Sequence, residues 1–269
     1  MNREDTIEAL WRACENWKGH AARLEQLADA GFSLGSRIED DNASATHGDR
    51  SLAVGAYLRE RMWNAARMLR SLHRQVFETE AGRLHLDSTV LYPLMRAVME
   101  DATTITWLQA PDDRNDRLTR IFRALFTDSY YFTENHLLLA SAAFSTGDVS
   151  EKVSKELSAH MRDEKATTRT HFEQLARLSG IDEVESTKKL ATSAPVRLHY
   201  GKESVEFMSW KLLSDLSHFS FMMLRHLATS PIPGSDTSLL HATILHFAAT
   251  INRLCGDALH LIERAAAAG

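Results

Sequence analysis

The sequence predicts an all-α single-domain helical bundle of about seven helices. Three observations point there: apolar residues recur at helical spacing through most of the 269 residues, strand-like alternation is nearly absent, and only five prolines and twelve glycines interrupt the chain. With 44% hydrophobic and 25% charged residues, a chain of this length can bury a core without disulfides or metals. The expected organisation is one domain over 1–269. It divides into an N-terminal helix and loop (1–48), central helices (49–180), an irregular connection (181–202) and a C-terminal helix pair (203–269).

The first helix carries Ile7, Leu10, Cys14, Trp17, Ala21 and Leu24 at spacings of three and four. Gly31 to Asp49 is polar and reads as a loop. The second helix repeats the pattern with Leu58, Met62, Ala65, Leu69, Leu72 and Val76. A third, from about Leu91 to Gln109, has Pro93 placed in its first turn, where a missing N–H costs nothing. Pro111-Asp112-Asp113 then caps a fourth, built on Leu118, Ile121, Phe122, Leu125 and Phe132 and ended by Gly147-Asp148. A highly charged helix from about Val149 to Ser179 stops at Gly180. Residues 181–202 hold at most a short helix. The last two helices, about Ser204–Ala228 and Asp236–Ala266, flank Pro231 and Pro233. The first of them is apolar nearly all round and is expected to be central.

Composition excludes several classes. The N-terminus turns amphipathic at once, so no secretory signal is expected. The longest apolar stretch, roughly Val205 to Leu227, contains Lys211, Asp215, His218 and Arg225, which argues against a membrane span. Cys14 and Cys255 lie far apart without a spacing motif. Together these features fit a cytoplasmic protein better than a disulfide scaffold. A formal net charge of −5 gives no bulk attraction for nucleic acid.

Two polar constellations stand out. On the third helix, Arg96, Glu100, Thr103 and Trp107 project as one narrow stripe opposite the apolar face. The stripe is either a solvated face with an i,i+4 ion pair or an internal polar site beside a tryptophan. On the penultimate helix, Ser214, Asp215, Ser217 and His218 sit among Phe207, Trp210, Leu213, Leu216, Phe219 and Phe221. These polar groups must be hydrogen-bonded if buried. His218 is either a core histidine held by a carbonyl or serine, or an acid, base or ligand anchor in a pocket.

Tyr92-Pro93-Leu94-Met95-Arg96-Ala97-Val98-Met99-Glu100, Trp107-Leu108, Pro111-Asp112-Asp113-Arg114, Arg117-Leu118-Thr119-Arg120 and Leu213-Ser214-Asp215-Leu216-Ser217-His218 carry a resemblance. Over roughly residues 50 to 260 the chain resembles a group of helical bacterial proteins with no established activity, a domain of unknown function. Glycine often follows the histidine there, and Phe219 stands in its place here. That group is distantly similar to the HEPN superfamily of helical bundles, many of which dimerise and some of which cut RNA. The resemblance implies a homodimer, and a shared site of Arg96, Glu100, Ser214 and His218.

Other motifs carry less. HEPN nucleases use Arg-x(4–6)-His; Arg67…His73 and Arg253…His260 fit, but chance alone supplies about three such pairs in this composition. Asp215…His218 and Asp257…His260 have the i,i+3 spacing of bundle metal ligands, with Glu100, Glu134 and Glu164 as conceivable partners; no metal ligands are assigned. His241…His246 points to different faces, and no zinc motif, phosphate loop, nucleophile elbow or Cys/His pair occurs. Arg114, Arg117, Arg120 and Arg123 read as a solvated, salt-bridged row among nearby aspartates.

The leading expectation is a ligand-binding or regulatory protein. Its pocket uses Arg96, Glu100, Trp107, Ser214, Ser217 and His218 to hold a small or anionic ligand, with catalytic residues and cofactor unknown. The alternatives are a HEPN-type RNA-acting toxin or defence protein and a metal-dependent helical-bundle enzyme.

Overall fold

A computed structural model describes residues 3–47, 53–77, 84–147, 150–218, 220–230, 232 and 238–267. Phe219, Asp236, Ala268 and Gly269 lie outside them. The described residues are all-α, with no strand. They form eleven helices where the spacing predicts about seven: α1 (Arg3–Ala30), α2 (Arg37–Thr46), α3 (Val54–Phe77), α4 (Ser88–Gln109), α5 (Arg114–Ser145), α6 (Glu151–Leu178), α7 (Glu183–Ser186), α8 (Ala194–Tyr200), α9 (Val205–Ser217), α10 (Phe221–Thr229) and α11 (Leu239–Ala266). No described helix is long and apolar enough to cross a membrane.

The four extra helices have local causes. α2 falls in the segment read as a loop, because it has no apolar stripe: its buried positions are Ile38, Asp41 and Ala45. The 181–202 connection holds two short helices, α7 capped by Asp182 on the Glu185 amide and α8 with Pro195 in its first turn. The expected penultimate helix is broken at His218, which ends α9, and restarts as α10 behind Ser220. α4 begins a turn earlier than expected, with Asp87 accepting from the Thr89 amide, so Pro93 lies in its second turn and removes a backbone bond there.

The chain divides into two compact units. One comprises residues 1–37, 55–110 and 192–269; the other comprises 38–54 and 111–191. In the first, α4 packs on α11, α9 and α8, and α1 packs on α11. α1 and α11 run parallel, with the Asn252 amide nitrogen on the Ala13 carbonyl (2.8 Å) and Arg23 on Glu263 (2.7 Å). The central helix is α4, not the penultimate one: every residue from Asp101 to Gln109 is buried. Its polar side survives burial because the hydroxyls of Thr103, Thr104 and Thr106 donate to the carbonyls of Met99, Glu100 and Ala102 at 2.6–2.8 Å. Asp101 meets Arg61 at 3.0 Å; burial raises its carboxyl affinity for a proton and the guanidinium partly offsets this. In α9 and α10, by contrast, Val205, Met208 and Met222 are exposed.

In the second unit α5 and α6 pair, α7 packs on both, and Phe172 meets Phe122 and Phe126 edge-on. Arg117, expected in a solvated row, is 4% exposed. Its guanidinium grips Asp41 of α2 at both oxygens (2.7 and 2.9 Å) and donates from Nη1 to the Pro111 and Asp112 carbonyls. Spacing gave no sign of this, because the partner lies 76 residues upstream in a helix that was not expected.

Removing one partner from this buried pair strands a charge. Arg117→Met therefore lowers stability by about 3–5 kcal/mol, and adding Asp41→Leu restores most of the loss; urea unfolding followed by far-UV circular dichroism reads both. Cys14 and Cys255 are free and buried, and burial pushes both thiols up to about 12. Native protein should leave a thiol-reactive dye unreacted at pH 8, and unfolded protein should titrate two thiols per chain.

Candidate functional site

Arg96, on α4, is a half-buried cation of the first unit held by several partners. Its Nε donates to Glu100 Oε1 at 2.9 Å, one turn along the same helix. Its Nη1 lies 3.2 Å from His218 Nε2, and the guanidinium carbon sits 5.7 Å from the Trp210 ring centroid. Arginine can only donate, so His218 accepts at Nε2 and carries its ring proton on Nδ1. Three partners on α4 and α9 thus fix the guanidinium plane while its Nη2 edge stays unclaimed among the described residues. The cluster lies at the surface: the Arg96 and Glu100 side chains are 21% and 28% exposed, and His218 is exposed. Neither sequence reading of the pair, solvated face or enclosed pocket, describes this half-buried rim.

The other expected site residues do not converge here. Trp107 is fully buried eleven residues beyond Arg96, about 16 Å along the helix axis. Ser217 donates to its own helix, at the Leu213 carbonyl (2.6 Å), and Ser214 makes no hydrogen bond to Arg96 or His218 among the described residues. The aromatic partner is Trp210, which sequence reasoning assigned to the core. A signal was present, since Trp210 lies about two turns before His218, the residue that caps the end of α9. Its indole N–H is buried without a partner among the described residues, as is the phenol of Tyr92, one turn before Arg96; burial pushes that phenol up to about 12.

Further polar pairs join α8 and α9 to α11. Ser209 Oγ and His246 Nε2 are 2.8 Å apart, Glu206 holds Arg253 at 2.9 Å, and the Tyr200 hydroxyl donates to Asp257 at 2.9 Å. A serine on a histidine is the start of a nucleophile–base pair, but Ser209 is 2% exposed and closed to substrate. Arg253 and Asp257 are engaged by these partners, and His73 of the other Arg/His pair bonds Glu15 at 3.1 Å. Among the described residues no group of three or more His, Cys, Asp or Glu side chains is placed to hold a metal. In the second unit, Ser129, His160, Asp163, Glu164 and His171 line a groove of about 580 Å³, and Glu134 is bound by Lys165.

His246 sets a pH dependence. Desolvation of the ring, with a smaller push from Arg253, lowers its proton affinity below the ordinary 6.5. As pH falls below about 6.5 the unfolded chain takes up a proton that the folded chain refuses, so stability is lost on acidification through the lowered value. His20, also lowered by burial, adds in the same direction. His246→Gln should therefore shrink, without abolishing, the drop in urea-unfolding free energy between pH 7.5 and 5.5; an unchanged drop assigns it elsewhere.

Compared with protein-family models, curated proteins and solved structures, the chain matches none of them, so its function rests on the geometry of its own side chains.

Proposed function

We propose that this protein binds a small anion, a carboxylate or phosphate group, at Arg96. The supporting observation is the guanidinium held from three sides by Glu100, His218 and Trp210 with one N–H edge turned to the rim. An arginine fixed before the ligand arrives loses little side-chain freedom on binding, and its planar edge matches two anionic oxygens. Glu100 keeps Arg96 oriented and offsets its charge, which favours a monoanionic group over a more highly charged one. His218, as an acceptor on Nη1, selects the guanidinium rotamer. The unpaired Trp210 indole N–H is a further donor in the same helix packing. The role is that of a binding or regulatory protein, and homodimerisation belongs to the same proposal as the resemblance implies it.

Inorganic phosphate is the probe. At ten times its dissociation constant it should stabilise the folded chain by about 1.4 kcal/mol and raise the melting temperature by about 3–5 °C. Arg96→Met should remove that shift and His218→Ala should reduce it, both variants keeping the wild-type helical spectrum. An equal shift in Arg96→Met places the anion elsewhere. Native mass spectrometry of the purified chain against its denatured mass then identifies any anion retained from the cell.

A further inference from the structure

The second half of α5 presents an apolar face that nothing described in the second unit covers. Tyr131, Asn135, Leu138, Ala142 and Ser145 recur at spacings of 4-3-4-3, the seam of a heptad repeat, with Phe132 and Leu139 alongside. Leu138 and Leu139 are 67% and 66% exposed, Phe132 56% and Tyr131 47%. At 100° per residue the same side of α5 carries Ile121 and Ala124 further back, and these are buried. The buried face therefore runs on for four more turns as an open one. On the opposite side this half meets α6, with Glu134 on Lys165, and the outer face is left bare.

From Asn135 to Gly147 the sequence contains no Asp, Glu, Lys or Arg. A surface without charge meets its own copy with no like-charge repulsion and no ion to desolvate, so self-pairing carries no electrostatic cost. The area also fits. Taking about 200 Å² for each of the four large side chains when fully exposed, they present roughly 450 Å² of apolar surface, close to the apolar share of the ~800 Å² that one partner contributes to a stable interface. Asn135 in the seam supplies what such pairings use to fix register, since it is satisfied only against the matching residue of an aligned copy.

We propose that this face of α5, from Tyr131 to Ser145, is a self-association surface occupied by the same face of a second copy of the chain. The contact is isologous, with the two-fold axis running along α5 so that Leu138 and Asn135 each meet their own counterpart. This surface rests on the homodimer of the proposed function and names its face, and it is independent of the anion site.

Light scattering on the eluting full chain at about 50 µM should give twice the chain mass. Leu138→Glu with Leu139→Glu should return the single-chain mass, weakening association about a hundredfold or more, with the helical spectrum unchanged because both side chains already face solvent. The native cysteines are buried, so an introduced thiol can be read alone. Leu138→Cys should form a disulfide-linked dimer under mild oxidation, and Val184→Cys, equally exposed on α7, should not. A wild-type chain of single mass at that concentration overturns the proposal. So does a double-Glu variant that still dimerises, a partner of different sequence seated on the face, or cross-linking at position 184 as efficient as at 138.

Discussion

The first unit depends on burying a helix that is polar on one side. α4 has to shed water from Asp101 through Gln109, a stretch with four threonines or acids among its nine residues. Threonine is the residue type that allows it. Each hydroxyl folds back on a carbonyl one turn earlier, so the side chain turns a methyl group outward and asks nothing of the neighbouring helix. Asp101 is the exception, and it brings Arg61 from α3 with it. With the C-terminal half of α4 sealed in this way, its N-terminal half can hold Arg96 at the rim against α9. Within that buried half the Gln109 side-chain nitrogen alone is left without a partner among the described residues.

Much of this was legible from spacing. The expected apolar stripe of α3 is buried throughout and that of α1 from Leu10 to Leu24, and the cap at Asp113 and the stop at Gly180 stand where turn chemistry places them. The failures share one cause. Periodicity reports apolar faces, and α2, α7 and α8 are set by caps, a proline and a single buried ion pair rather than by such faces. The apolar run from Val205 to Leu227 looked central because composition cannot show a break at one histidine. α4 looked half-solvated because threonine was counted as polar.

At the rim, a helical projection found Arg96 and Glu100, since a one-turn pair is a local matter. That His218 completes the group came from the resemblance, and it is a contact across 122 residues that no projection of one helix contains. The projection also offered Trp107, correct in angle and three turns away in height. Angle and height both have to agree before two residues share a site, and Trp210 meets the guanidinium from another helix.

The division into two units has an optical consequence. All five tryptophans, at 11, 17, 63, 107 and 210, and both cysteines fall in the first unit; the second has only Tyr130 and Tyr131 as long-wavelength chromophores. Indole emission therefore watches one half of the chain and is blind to the other, whereas far-ultraviolet dichroism sums over both. Where the two signals part company along a denaturation curve, the chain is unfolding in two steps, and their coincidence marks it as one cooperative body.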